Sequence, residues 1–252
     1  MNDKPREFIF GKNPVFESLR GGREVHEIYG THESIKWLLR KCEQNGIKIR
    51  AKISTADKNQ LYKLVKRKDH QGLVALVSQF EYTPLKLILR RKPDIMVMPV
   101  GITDPQNLGA IIRTSELLGV GAILIPKKNS AKITPVVAHT SAGAVEHMPI
   151  AIVESPAHII ESLKREGYKV IACEKPSAKS ILLPEFEPPS KTLLLFGSEG
   201  EGLPLSIVKR ADLVVSIPQK GIIDSFNVSA AAAIIIYHIC SQAIKIKNSH
   251  SN

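Results

Sequence analysis

"LLLFGSEGEGLP", residues 193–204, runs four apolar residues straight into a stretch holding three glycines and two glutamates. A strand that is apolar at every position must be covered on both faces, and such strands belong to parallel sheets layered between helices. Working outward, the same kind of run recurs as "DIMVMPV" (94–100), "AILIP" (122–126), "MPIAIV" (148–153), "YKVIACE" (168–174) and "LVVSIP" (213–218), with helical patterns between them. The expected fold class is therefore α/β, with a C-terminal parallel-sheet domain. Thr134 before Pro135 and Ser155 before Pro156 mark two helix starts. "ILLPEFEPPS" (181–190) reads as an irregular Pro-rich connection.

Ahead of this region lies a shorter alternation of strand and helix patterns, which predicts a small α/β sandwich. "REFIF", "VHEIYG", "IKIRAKI" and "LVALVSQF" read as strands. "NPVFESLRGG" reads as a helix capped by Asn13 with Pro14 at its first position. The chain carries a formal charge of +11, and residues 1–92 hold 20 Lys/Arg against 10 Asp/Glu, whereas residues 93–252 hold 15 against 14. A basic module beside a nearly neutral one suits polyanion binding, although a lysine-rich surface also serves solubility. The expected boundaries are a first domain at 1–83, a basic linker at 84–93 closed by proline, and a second domain at 94–252.

Several classes are excluded. The longest apolar stretch falls short of the roughly 20 residues that span a bilayer, so no membrane partner is expected. Cys42, Cys173 and Cys240 are three and scattered, which fits free thiols in a reducing cytoplasm. The eight His and three Cys show no metal-ligand spacing, so no metal is expected.

In an open parallel sheet ligands collect at the carboxyl ends of strands, and three loops there stand out. In "DPQNLGAIIRTSELLGVG" (104–121), Arg113 lies about 140° around the helix from Leu108, away from the core face. It is either a solvated arginine or, with Gly109 four residues earlier, part of a phosphate seat near a helix N-terminus. The turn after Phe196 matches neither the dinucleotide fingerprint nor a P-loop. Glu199 and Glu201 suit a cation, such as a sulfonium cofactor, or a ribose diol. In "IPQKGIIDSFNVS" (217–229), Ser225 and Asn227 can cap the apolar helix "AAAAIIIYHIC". Capping leaves Asp224 and Ser229 unexplained, and a helix apolar nearly all round needs cover on several faces, for which a partner subunit is one source.

"DPQNLGAIIRT", "LLFGSEGEGL" and "IPQKGIIDSFNVSAAAAIIIYH" resemble, in order and spacing, the three motifs of the SpoU (TrmH-type) RNA ribose 2′-O-methyltransferases of the SPOUT superfamily. Residues 1–82, with "FGKNPVFESLR" and "HQGLVALV", are similar to the N-terminal RNA-binding domain of the RlmB-like subgroup, which acts on 23S ribosomal RNA. The resemblance implies a deep trefoil knot, a homodimer and S-adenosyl-L-methionine as cofactor. By position it implies cofactor contacts from Gly197, Ser198, Gly200, Gly202, Ile217, Pro218, Ser225, Phe226 and Asn227. It likewise implies Asn107, Arg113, Glu199, Ser225 and Asn227 around the reacting centre. Phe226 stands where the family usually has leucine, which bears on pocket shape. The implied reaction is methylation of a ribose 2′-hydroxyl in RNA, with a guanosine of 23S ribosomal RNA as target. Transfer RNA is the alternative target, and a non-catalytic RNA-binding protein of the same fold is the other reading.

Overall fold

A computed structural model describes residues 5–249 of the chain and the side chains of residues 5–242. The chain starts β1 (Arg6–Phe10), α1 (Lys12–Arg20), β2 (Val25–Gly30), α2 (His32–Gln44), β3 (Lys52–Thr55), α3 (Lys58–Val65) and β4 (Leu73–Ser78). It continues through α4 (Leu85–Arg91), β5 (Ile95–Pro99), α5 (Pro105–Leu117), β6 (Ala122–Pro126), α6 (Pro135–Thr140) and β7 (Ile150–Val153). The last elements are α7 (Pro156–Arg165), β8 (Lys169–Cys173), β9 (Ile181–Leu182), β10 (Thr192–Phe196), α8 (Leu205–Val208), β11 (Leu213–Ser216) and α9 (Val228–Ser249). They form two compact units, Met1–Glu81 with Ile133–His147, and Tyr82–Lys132 with Met148–Asn252.

The first unit is a sandwich around a four-stranded sheet ordered β1-β4-β2-β3. β4 is antiparallel to β1 and β2, and β2 is parallel to β3. Alternate residues of a strand face opposite sides. Ile9 accordingly joins Phe16, Ile28 and Leu38 in one core, while Phe10 joins Leu61 and Val74 in the other. Two sequence expectations shift here. α1 begins at Lys12 and is capped by Gly11 at φ 99°, so Asn13 is not its cap and Pro14 is not its first residue. Sheet pairing decides this, since the Gly11 N–H donates to the Leu73 carbonyl at 2.9 Å and the chain must turn at that glycine. The strand expected from residue 47 occupies Lys52–Thr55, where it pairs with β2. Ile47, Ile49 and Ala51 instead pack against the core as irregular chain.

Residues 133–147 pack with this first unit, although sequence order places them between β6 and β7 and they were expected in the second domain. Their anchors are polar and nearly buried. The Arg23 guanidinium donates to Glu146 at 2.9 Å, to Glu7, and through Nε to the Ser78 carbonyl at 2.7 Å. The side chains of Arg23 and Glu146 are only 8% and 5% exposed. Burial pushes the Glu146 carboxyl up from its ordinary value, and the Arg23 charge opposes that. His147 meets Glu17 at 2.8 Å, and His139 stacks on Phe10 at 4.7 Å between ring centroids.

The second unit holds a seven-stranded sheet ordered β7-β6-β5-β10-β8-β11-β9, parallel at every pairing. Every residue of β5, β6 and β10 is buried, as strands covered on both faces require. The stretch expected as a basic linker is partly helical: α4 inserts Ile88 into this unit's core and leaves Lys86, Arg90 and Arg91 exposed. β9 is a two-residue strand within the Pro-rich connection. Thr134 and Ser155 cap α6 and α7, each accepting a backbone N–H three residues on. No described helix is long and apolar enough to cross a membrane.

Arg23→Ala leaves Glu146 as a buried carboxylate without its partner, a loss of about 3–5 kcal/mol in such settings. Urea unfolding is expected to show a lowered midpoint for this variant with no change in the sheet's far-ultraviolet signal beforehand. Arg23→Lys, which keeps the charge without the planar fork, is expected to fall between the variant and the parent.

Candidate active site

Register in the second sheet levels three strand ends: Phe196 of β10 sits beside Cys173 of β8 and Pro99 of β5, and Val215 of β11 also pairs with Cys173. The chain that leaves β10 turns back at once. Ser198 and Gly202 exchange backbone hydrogen bonds at 3.1 and 3.0 Å, and Gly200 and Gly202 take φ values of 88° and 70°. This returning chain lies directly on Gly197, where a Cβ would be 2.1 Å from the Gly202 carbonyl carbon and 2.2 Å from the Leu203 nitrogen. Glycine at 197 is thus a steric necessity. Glu174, just past β8, holds the turn from outside by accepting the Leu203 N–H at 2.6 Å. Burial raises its pKa, opposed by the hydrogen bonds from the Leu203 and Lys175 N–H groups.

A pocket opens over these strand ends. One wall is the 197–202 turn, and the others include Glu174, Ile217, Phe226 and the α9 residues Ala231 and Ile235. Gly197, Ser198, Gly200, Gly202, Ile217, Ser225 and Phe226 all line it, as does Glu199. Pro218 is exposed and outside this lining, and Asn227 stands beside it. Apolar side chains at Ile217, Phe226 and Ile235 suit a flat aromatic group. The turn adds main-chain donors and acceptors, and Glu174 adds a carboxylate suited to a cationic or hydroxylated ligand. Glu174, Gln219, Ala231 and Ile235 were not singled out in the sequence. For Glu174 the signal was available, because it directly follows a buried parallel strand.

Asn227 fixes a second feature. Its Oδ1 caps α9, accepting the backbone N–H groups of Ser229 and Ala230 at 2.9 and 3.4 Å and the Ser229 hydroxyl at 2.6 Å. Ser225, expected to share that cap, instead lines the pocket. With its oxygen so committed, Asn227 turns its Nδ2 the other way, donating to Asn107 Oδ1 at 3.1 Å and Glu199 Oε1 at 3.2 Å. Asn107 Nδ2 donates to Glu199 Oε2 at 3.3 Å. Asn107 is 8% exposed and sits in the first turn of α5, whose cap is Asp104 accepting from Gln106 N–H. Residues 107, 199 and 227 therefore form one closed network. Arg113, two turns into α5, is exposed and makes no ion pair with a described residue, while Gly109, four residues earlier, is buried. The described residues contain no group of three His, Cys, Asp or Glu able to hold a metal ion.

The profile of the SpoU rRNA Methylase family matches residues 94–237, and one described as RNA 2′-O ribose methyltransferase substrate binding matches residues 8–83. A Staphylococcus haemolyticus protein provisionally named a TrmH family tRNA/rRNA methyltransferase is 30% identical over 236 residues, covering 92% of this chain and 94% of its own length. The fold is shared with solved structures. The SpoU methyltransferase AviRb from Streptomyces viridochromogenes, in complex with the cofactor AdoMet, has a TM-score of 0.75 at 22% identity, covering 95% of this chain and 91% of that one. The AdoMet-bound rRNA methyltransferase from Sinorhizobium meliloti has a TM-score of 0.73 at 23% identity, covering 92% and 86%. With one profile running from β5 into α9 and a relative aligned over nearly its whole length, the chain belongs to the SpoU rRNA Methylase family of RNA methyltransferases.

Proposed function

We propose that this chain methylates a ribose 2′-hydroxyl of ribosomal RNA, at a guanosine of 23S ribosomal RNA, with S-adenosyl-L-methionine as cofactor. The observation that carries the proposal is the double membership of Glu199, which lines the pocket and also accepts both amide donors of the Asn107–Asn227 network. A cofactor site and a polar cluster for a second substrate thus meet at one side chain. The pocket residues fit the cofactor, since the 197–202 turn brings main-chain donors and acceptors to one wall and the apolar walls suit an adenine. Bound there, S-adenosyl-L-methionine supplies an electrophilic methyl group on a sulfonium centre.

The chain's own groups then act on the RNA. Phe226 and Ile217 keep water from the reacting atoms. Asn227 and Asn107 hold Glu199 in place, and its carboxylate oxygens retain lone pairs to accept the 2′-hydroxyl proton in a hydrogen bond. A guanidinium fork offers donors and no acceptor, so Arg113 serves to seat the neighbouring phosphate and polarise the 2′-oxygen instead of removing its proton. Orientation of this kind is a large share of what a weak hydroxyl nucleophile needs. In this proposal the reaction uses no metal and runs in the cytoplasm, a reducing compartment that suits three free cysteines. We also assign a homodimer, because Leu117 on α5 and Ile234 and Tyr237 on the adjoining α9 expose apolar surface on neighbouring helices. Transfer RNA is the second reading, supported by the paired tRNA/rRNA name of the relative from Staphylococcus haemolyticus.

Mapping 2′-O-methyl sites in ribosomal and transfer RNA from cells with and without the gene tests the target. Loss of one site in 23S ribosomal RNA is expected, and loss confined to transfer RNA would reassign the substrate. Gly197→Ala sets a Cβ against the returning main chain and displaces the turn, and a roughly 10- to 100-fold loss of cofactor affinity by calorimetry is expected, equivalent to about 1.4–2.8 kcal/mol. Arg113→Ala is expected to leave folding and cofactor affinity near the parent while slowing single-turnover methyl transfer on the order of 100-fold. Arg113→Lys is expected to restore little, because the planar fork is missing; parental rates in the Ala variant would remove Arg113 from the mechanism.

A further inference from the structure

The first unit carries a cleft at one end of its sheet, where β1, β2 and β3 finish and β4 begins. It is lined by Lys12, Trp37, Lys58, Lys68, His70 and Gln71, with Glu33 as the acid among them. Lys12 lies 5.5 Å from the centroid of the Trp37 ring, which holds the stem of a flexible cation in place. The floor is closely built. A Cβ on Gly72, which sits at φ 75°, would fall 2.6 Å from Ser34 Oγ. Ser34 Oγ donates to the Gln71 carbonyl at 3.1 Å, and the Lys12 N–H donates to Gln71 Oε1 at 2.9 Å.

His70 is the exception to this internal pairing. It is 4% exposed, and its Nδ1 accepts the Gly72 N–H at 3.0 Å. An acceptor nitrogen carries no hydrogen, so the ring proton of the neutral imidazole is on Nε2. That N–H has no hydrogen-bond partner among the described residues, yet its ring lines the cleft. An acceptor atom entering the cleft would complete the pairing of this ring.

We infer that this cleft is a binding site for an RNA phosphodiester, with Lys58 and Lys68 neutralising the phosphate and the buried His70 Nε2–H donating to one of its oxygens. A phosphate offers acceptors only, and in the cleft the three lysines Lys12, Lys58 and Lys68 outweigh the one acid, Glu33. The inference rests on the RNA reading of the preceding subsection and extends it by naming where the first unit grips the substrate backbone.

Phosphate contact is blind to base, so the probe is a fluorescein-labelled single-stranded oligouridine of about 20 nucleotides, titrated by anisotropy against the full chain at several salt concentrations. Each phosphate contact to a single strand contributes about 0.7 to the slope of log affinity against log salt. Lys58→Gln with Lys68→Gln is expected to weaken binding and reduce the slope by about 1.4. Lys48→Gln with Lys52→Gln removes the same charge from exposed positions at the other end of β3 and of α2, and is expected to leave the slope unchanged. Equal effects from both pairs, no effect from the first, or a polyglutamate peptide binding as tightly as the RNA would overturn the inference. Cofactor calorimetry and methyl transfer to RNA separate the two readings. If the parent transfers methyl groups and binds the probe while the cleft pair behaves like it, only the cleft assignment falls; a parent that binds no RNA takes both down.

Discussion

The pairing of β10 between β5 and β8 is the constraint on which the second unit depends. β10 is the sixth of seven strands along this part of the chain, yet it lies in the middle of the sheet and joins β7-β6-β5 to β8-β11-β9. A fully buried strand has to find backbone partners on both sides, because each unpaired peptide group inside a core costs as much as a lost hydrogen bond. β10 finds them along its whole length with β5 on one side and β8 on the other. Its register also sets the height at which the glycine turn emerges, level with the ends of β5 and β8. A slip of one residue would move Gly197 away from Glu174 and Ile217 and would turn each side chain of the strand to the opposite face.

Downstream of that constraint, the choice of asparagine at position 227 follows from two demands on one side chain. A helix start accepts Ser, Thr, Asp or Asn, since each offers an oxygen to the free N–H groups of the first turn. Asn alone among them also carries an amide nitrogen with two hydrogens, and here both are spent, on Asn107 and on Glu199. Aspartate would cap equally well but would set a second carboxylate against Glu199, and serine would cap without reaching it. A cap that also carries a network ties the geometry of the site to the stability of α9.

Much of this architecture was legible in one sequence. All-apolar runs such as "AILIP" and "LLLF" identified a parallel sheet because burial on two faces leaves no room for alternation. Thr134 and Ser155 announced helix starts because the capping chemistry is local. The glycine turn and Asn227 were visible as polar and flexible residues at the ends of strands and the door of a helix. What depends on contacts between distant residues was not. Strand order placed β10 centrally, pairing displaced β3, and the glycine at 11 overrode the capping signal of Asn13. The membership of residues 133–147 in the first unit rests on Arg23 meeting Glu146 across 123 positions, and no local pattern encodes that. His70 stayed hidden for a similar reason, since only the Gly72 N–H on its Nδ1 reveals which ring nitrogen is left to donate.

The three glycines of the turn answer three different backbone problems, which a composition-based reading treats as one. Gly197 has room for nothing larger, because the returning chain occupies the space of a Cβ. Gly200 has no atom near its would-be Cβ, and its requirement is the left-handed φ alone. Gly202 has both, a φ of 70° and the Glu174 carboxylate 2.8 Å from where a Cβ would lie. Left-handed backbone at a non-glycine residue costs on the order of 1–2 kcal/mol, so asparagine at 200 is a milder change than alanine at 197, where main chain itself must move. Glu174 completes the logic from outside the turn. Its half-buried carboxyl, raised by burial, accepts the Leu203 N–H and so pins the point at which the turn rejoins the chain. A loop kept merely flexible would need none of these arrangements; together they describe a turn whose shape is fixed by its own backbone and by Glu174.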